Sequence, residues 1–207
     1  MIKYEFGDVH ADTVLIQMVD EHDLEGIENQ VSLIAANYGK SFRLIAMKVE
    51  HWNADLSPWI APAVFGKEDF GGGAEETLAE IVKLCDDKTK TYYIGGYSLA
   101  GLFALWAAYQ TDIFKGVAAA SPSMWFPGFT DYTKTHEIKA GVVYLSLGDK
   151  EEKARNPVMA TVGGKIREAY DWLSNCGVKC ILEWNEGNHF KDADLRTAKA
   201  FAWVIKD

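Results

Sequence analysis

The chain has 207 residues, 48% of them hydrophobic and 13% aromatic, which is ample for the core of a single domain spanning residues 1–207. A formal charge of −9 and a pI near 5.1, with no gathering of Lys or Arg, leave no basic footprint for nucleic acid. No stretch approaches the ~20 apolar residues of a membrane span, the start MIKYEFGDVH has no leader pattern, and three cysteines (Cys85, Cys176, Cys180) suit packing in a reducing, cytoplasmic setting rather than a disulfide framework.

In chain order, residues 13–19 (TVLIQMV) read as a buried strand and residues 24–37 as a helix. A second strand is expected over 43–49. The stretch 51–73 (HWNADLSPWIAPAVFGKEDFGGG) is irregular and rich in Trp, Pro and Gly, the kind of long loop that is functional when found inside a compact domain. A helix over 74–85 leads to a strand over 91–94, a Gly-Gly turn, and a helix over 100–110 that is apolar all round and so belongs inside the fold. Strand 116–120 runs into a second loop, 121–130 (SPSMWFPGFT). Strand 142–147, helix 157–176, strand 179–184 and helix 192–205 complete the chain. Alternation of this kind predicts an α/β protein with a mostly parallel, doubly wound sheet and helices on both faces. The functional loops of such a sheet lie beyond the carboxyl ends of its strands.

At one of those ends stands Gly96-Tyr97-Ser98-Leu99-Ala100. A serine on a sharp strand-to-helix corner needs small residues two positions to either side, and Gly96 and Ala100 meet that need. Ser98 is therefore the candidate nucleophile. A serine needs a base and a group that orients the base, following it in the order acid, then histidine. His189, in Glu186-Gly187-Asn188-His189-Phe190, is the only histidine placed after the last strand. The strand over 142–147 ends in Gly148-Asp149-Lys150-Glu151-Glu152. Of its carboxylates Glu151 is the preferred acid, with Asp149 as the alternative. For the oxyanion hole, one backbone N–H is expected from Leu99 and the other from Asp20, just after the first strand. Trp125 and Trp52 are candidate pocket walls, with packing as the competing role. No metal is expected, because no two histidines stand at ligand spacing and no Cys/His set is clustered.

Five blocks, in order, extend the likeness along the chain: Asp55-Leu56-Ser57-Pro58, the Gly71 to Leu78 run GGGAEETL, the Ser98 block, Ser121-Pro122-Ser123-Met124-Trp125, and Gly187-Asn188-His189. Together they resemble the putative-esterase (esterase D-like) group of the α/β-hydrolases, which includes ferric-enterochelin esterase. The resemblance implies an α/β-hydrolase fold without a cofactor, Ser98 as nucleophile, His189 as base and the Gly148 to Glu151 loop as source of the acid. The chain departs from many of that group in having Ala100 rather than glycine.

The resulting expectation is a serine hydrolase that cleaves small-molecule carboxylic esters through an acyl-enzyme. Acyl transfer or thioester cleavage at the same serine is the second reading. A non-catalytic binding protein that keeps the fold is the third.

Overall fold

The computed structural model describes residues 1–206. The elements, in chain order, are β1 (Ile2–Gly7), β2 (Thr13–Val19), α1 (Glu21–Tyr38), β3 (Arg43–Lys48), α2 (Trp52–Asp55), β4 (Ile60–Ala61), β5 (Phe70–Gly71) and α3 (Ala74–Val82). They continue with β6 (Thr91–Tyr97), α4 (Ser98–Gln110), β7 (Phe114–Ala120), α5 (Phe129–Thr135), β8 (Val142–Gly148), α6 (Val162–Asn175), β9 (Lys179–Asn185) and α7 (Ala193–Val204). Seven strands form one sheet in the order β1-β3-β2-β6-β7-β8-β9. All its pairings are parallel except that of β1 with β3.

The central strands are buried nearly end to end because helices cover both faces. Alternate residues of β2 show the division. Val14, Ile16 and Met18 point into a core shared with α3, α4 and α6, whereas Leu15 and Val19 join Ile27 and Ile34 of α1 and Phe201 and Val204 of α7. Residues 99–109 of α4 are all buried, as an all-round apolar helix requires.

The expected parallel sheet and its helices are present, with shifted ends. The strand expected over 91–94 runs on to Tyr97, and the one over 116–120 starts at Phe114. The helix expected over 157–176 is interrupted: a 3₁₀ turn at Met159–Thr161 precedes α6. The loop 51–73 holds the single turn α2 and the short antiparallel pair β4 and β5. β1 was not among the expected strands. Its Ile2, Tyr4 and Phe6 alternate with Lys3 and Glu5, the period of a half-exposed edge strand.

Candidate active site

The site is assembled at the carboxyl edge of β6, β7, β8 and β9. The turn from β6 into α4 puts Ser98 at φ 56°, left-handed backbone that costs a non-glycine residue about 1–3 kcal/mol. The tightness of the corner also explains its neighbours: a Cβ on Gly96 would come within 2.7 Å of the Ala100 Cβ and 3.0 Å of its carbonyl carbon. Ser98 is thereby left partly open to solvent between buried neighbours. As the first residue of α4 it is followed by Leu99, whose N–H has no intrahelical acceptor and lies at the positive end of the helix dipole.

His189 lies in the loop from β9 to α7. Its Nε2 is 3.0 Å from Ser98 Oγ and its Nδ1 is 2.7 Å from Glu151 Oε2. Of the two carboxylates weighed from the sequence, Glu151 reaches the imidazole. Asp149 instead accepts the Gly187 N–H at 2.8 Å and so ties the β8 loop to the histidine loop. Glu151 is only 7% exposed, and its other oxygen, Oε1, accepts from Gly148 N at 2.7 Å, Ser121 Oγ at 2.9 Å and Arg196 Nη1 at 3.1 Å. Gly148 makes room for this: a Cβ there would meet Glu151 Oε1 at 2.9 Å and Gly187 O at 2.4 Å.

Arg196, on α7 and 1% exposed, binds several parts of the site at once. Besides Glu151, its Nη1 donates to Tyr97 Oη at 3.1 Å and Ser121 Oγ at 3.3 Å, while Nη2 donates to the carbonyls of Glu186 and Asn188, each at 3.1 Å. Tyr97 Oη donates in turn to the His189 carbonyl at 2.8 Å. Burial pushes the Tyr97 hydroxyl up to about 12, so it keeps the proton it donates. The loop after β7 contributes twice. Ser121, at φ 43°, reaches the acid, and Ser123, 1% exposed, lies 3.3 Å from Ser98 Oγ and donates its N–H to the Ser98 carbonyl at 3.1 Å. Arg196, Tyr97, Ser121 and Ser123 had no assigned role in the sequence reading, although Ser121 and Ser123 stood in a block marked for its family likeness.

Asp20 requires a correction. It is the N-cap of α1, in a reciprocal capping box: its side chain accepts from Asp23 N at 2.8 Å, and its own N–H donates to Asp23 Oδ2 at 3.3 Å. The N–H expected to face an oxyanion is thus already committed to a carboxyl group. Burial, with the Asp20 charge alongside, pushes the Asp23 carboxyl up to about 7.

Two hollows meet at His189, and one of them also borders Ser98. One, of about 160 Å³, is lined by Asp20, Asp23, Trp52, Tyr97, Ser98 and His189. The other, of about 260 Å³, lies on the far side of His189 against Trp125, Met159, Val162 and Phe190. Trp52 and Trp125 therefore each border one hollow. Trp125 is also packed, 5% exposed, against Phe65 and Phe70. Among the described residues no group of three or more His, Cys, Asp or Glu side chains is placed to hold a metal ion, and no helix is long and apolar enough to cross a membrane.

The strand before Ser98 stands at the centre of the sheet, and Ser98, Glu151 and His189 follow β6, β8 and β9. The chain as a whole superposes on solved structures. An IroE-like serine hydrolase from Shewanella oneidensis superposes with a TM-score of 0.68 at 14% identity, over 92% of this chain and 69% of that one. This is the α/β-hydrolase fold. The enterobactin esterase of Shigella flexneri matches with a TM-score of 0.64 at 14% identity over 99% of this chain, and the Pyrococcus furiosus esterase Pf2001 with 0.64 at 11% over 98%. The chain spans 54% of the length of the enterobactin esterase and 86% of Pf2001. No protein-family model and no curated protein sequence matches it.

Proposed function

We propose that the protein is a serine esterase that cleaves small-molecule carboxylic esters through an acyl-enzyme. One observation carries the reading: the continuous relay from Ser98 Oγ to His189 Nε2 at 3.0 Å and from Nδ1 to Glu151 Oε2 at 2.7 Å. In this reading Ser98 Oγ attacks the ester carbonyl while His189 Nε2 takes its proton. Glu151 holds the Nδ1–H and stabilises the imidazolium. The Leu99 N–H, at the start of α4, receives the oxyanion. The imidazolium then protonates the leaving alkoxide. Water, deprotonated by the same nitrogen, attacks the acyl-enzyme and releases the acid. The esterase neighbours support ester cleavage as the reaction class. Three free cysteines, one of them exposed, support a reducing, cytoplasmic location.

A fluorophosphonate probe tests the assignment. A single adduct is expected at Ser98, and Ser98→Ala is expected to lose both the adduct and about four orders of magnitude or more of kcat on a short-chain ester. An adduct elsewhere, or activity surviving Ser98→Ala, overturns it. Running the assay with added alcohols as acyl acceptors shows whether the acyl group passes to water or to another hydroxyl.

A further inference from the structure

The hollow beyond His189 has an apolar body and a cationic rim. Its body is Trp125, Ala154, Met159 and Val162, and at its mouth stand Lys150 and Lys153. The acidic groups around it are already engaged. Glu151 pairs with Arg196 and His189, Glu152 with Arg167 at 2.8 Å, and Glu186 with Lys191 at 3.1 Å, while Asp149 accepts the Gly187 N–H. Lys150 and Lys153 are exposed and form no ion pair among the described residues. On a chain of net charge −9, two unpaired cations beside the reacting groups make a local field opposite in sign to that of the whole. A third feature is Phe190, an aromatic ring left 88% exposed at the same mouth, edge-on to His189 at 5.6 Å. An exposed ring next to an apolar hollow is unexplained by packing and suits contact with a ligand.

The hollow on the other side of His189 has the reverse character. It is lined by Asp20 and, beside it, by Asp23, His22 and Phe190; Asp23 holds its proton up to about pH 7, so it is the Asp20 carboxylate that disfavours an anionic arm there. The two hollows are therefore of opposite character across His189.

Resting on the esterase reading above, we infer that the preferred substrate is an anionic ester: an apolar or aryl arm in the hollow of Trp125, Met159 and Val162, ending in a carboxylate or phosphate-type group held by Lys150 and Lys153. The volume of about 260 Å³ suits one aryl ring or a short alkyl chain with its terminal charge at the rim. Lysine, a flexible point charge, serves either anion, whereas the planar bidentate geometry of arginine is not used here. Phe190 covers the arm from the solvent side.

Matched esters test this. For the alcohol arm, 4-(carboxymethyl)phenyl and 4-(phosphonomethyl)phenyl butanoate are compared with the neutral 4-(carbamoylmethyl)phenyl butanoate, the methylene keeping leaving-group chemistry similar. For the acyl arm, the 4-nitrophenyl hemiester of glutaric acid is compared with its neutral carboxamide. On at least one arm kcat/KM is expected to favour the anion by about tenfold or more. The preference is expected to shrink between about 0.05 and about 0.5 M salt, because the Debye length that screens exposed rim charges falls from about 14 Å to about 4 Å over that range. The ratio should fall toward one in the K150Q/K153Q variant and persist in K40Q/K88Q, which removes two exposed lysines from loops at the opposite edge of the sheet. A ratio at or below one on both arms, or a preference unchanged in K150Q/K153Q, overturns the inference. The carboxylate and phosphonate arms identify which anion is read.

Failure of the esterase reading shows separately, as no turnover of any ester and no probe adduct at Ser98. Calorimetric binding of the charged and neutral aryl butanoates to Ser98→Ala protein then decides the anion site by itself. Tighter binding of the anion, lost in Ser98→Ala combined with K150Q/K153Q, supports it, and equal affinities overturn it.

Discussion

Burying a guanidinium costs several kcal/mol unless its N–H groups are met and its charge is paired. At Arg196 the partners are Glu151, Tyr97, Ser121 and two carbonyls of the histidine loop, so one side chain fixes both the acid and the backbone that carries the base. Arg196→Met should therefore lower kcat by about 10²- to 10³-fold, the scale of catalytic misplacement, with a much smaller change in KM. Arg196→Lys, which restores a cation beside Glu151 but not the fork to the Glu186 and Asn188 carbonyls, should recover part of that loss. No recovery in Arg196→Lys, with kcat and KM impaired together, would mean that Arg196 only holds the fold. Glu151→Gln is expected to cost about 10⁴ in kcat, since an amide cannot stabilise the imidazolium or enforce its tautomer. Asp149→Asn keeps an acceptor for the Gly187 N–H and should cost less than about tenfold; the reverse ranking on the same ester would move the acid to Asp149. Ser98 was legible in the sequence because a strained corner restricts its neighbours to small residues. His189 was legible from chain order. Arg196 was not, since its partners lie 8 to 99 positions away and meet it only once β6, β8 and α7 are packed. The one clue was a charged residue on the inward stripe of α7, beside Thr197 and Ala200.

At the scale of elements, the start of α1 holds an opposition of forces. An acid in the first turn gains about 0.3–1 kcal/mol from the helix dipole, but at Asp23 burial and the neighbouring Asp20 charge outweigh it, moving the carboxyl from 3.8 to about 7. Below the ordinary carboxyl range both folded and unfolded chains hold this proton, and stability is unaffected. As pH rises from there to about 7 the unfolded chain ionises while the native one does not, so stability falls across that window and then levels off. Asp23→Asn keeps an acceptor for the Asp20 N–H and removes the titration. Relative to the parent its melting temperature should rise by a few degrees between pH 5 and pH 8, from about 1–2 kcal/mol after allowance for solvent on the open side of the group. A constant difference across that range would refute the account. The strands were the most legible elements because burial on both faces leaves continuous apolar runs, as in Val142–Gly148. Ends were less so: nothing local at Ile94 signals that β6 continues through two glycines to Tyr97, which neighbouring strands alone enforce. Asp20 shows the same limit, since its position after β2 was read correctly while the carboxyl that occupies its N–H came from the next helical turn.

Taken as a whole, the molecule separates its chemistry from one of its edges. The groups of the candidate site hang from β6, β8, the loop after β9 and α7; both cores pack on β6 and β8, and one of them also on α7. β1 pairs with β3 alone, and its Ile2 and Tyr4 are 51% and 36% exposed, so it adds little apolar burial for the backbone it orders. Its main effect is to cap the edge of the sheet. Without it, the N–H and C=O groups of Leu44, Ala46 and Lys48 would face solvent as a template for another chain. Removing residues 1–7 should thus lower stability by about 1–3 kcal/mol and make the protein self-associate at high concentration. At low concentration, well below its melting temperature, kcat/KM on a neutral ester should stay within about twofold, because β2 and β6 keep their register and β3 still has β2 beside it. Light scattering against concentration reads the first effect and dilute-enzyme kinetics the second. If the dilute monomer lost activity, the strain at Ser98 would depend on the full width of the sheet rather than on the β6 corner, where Gly96, Ala100 and the Ser123 contact hold it.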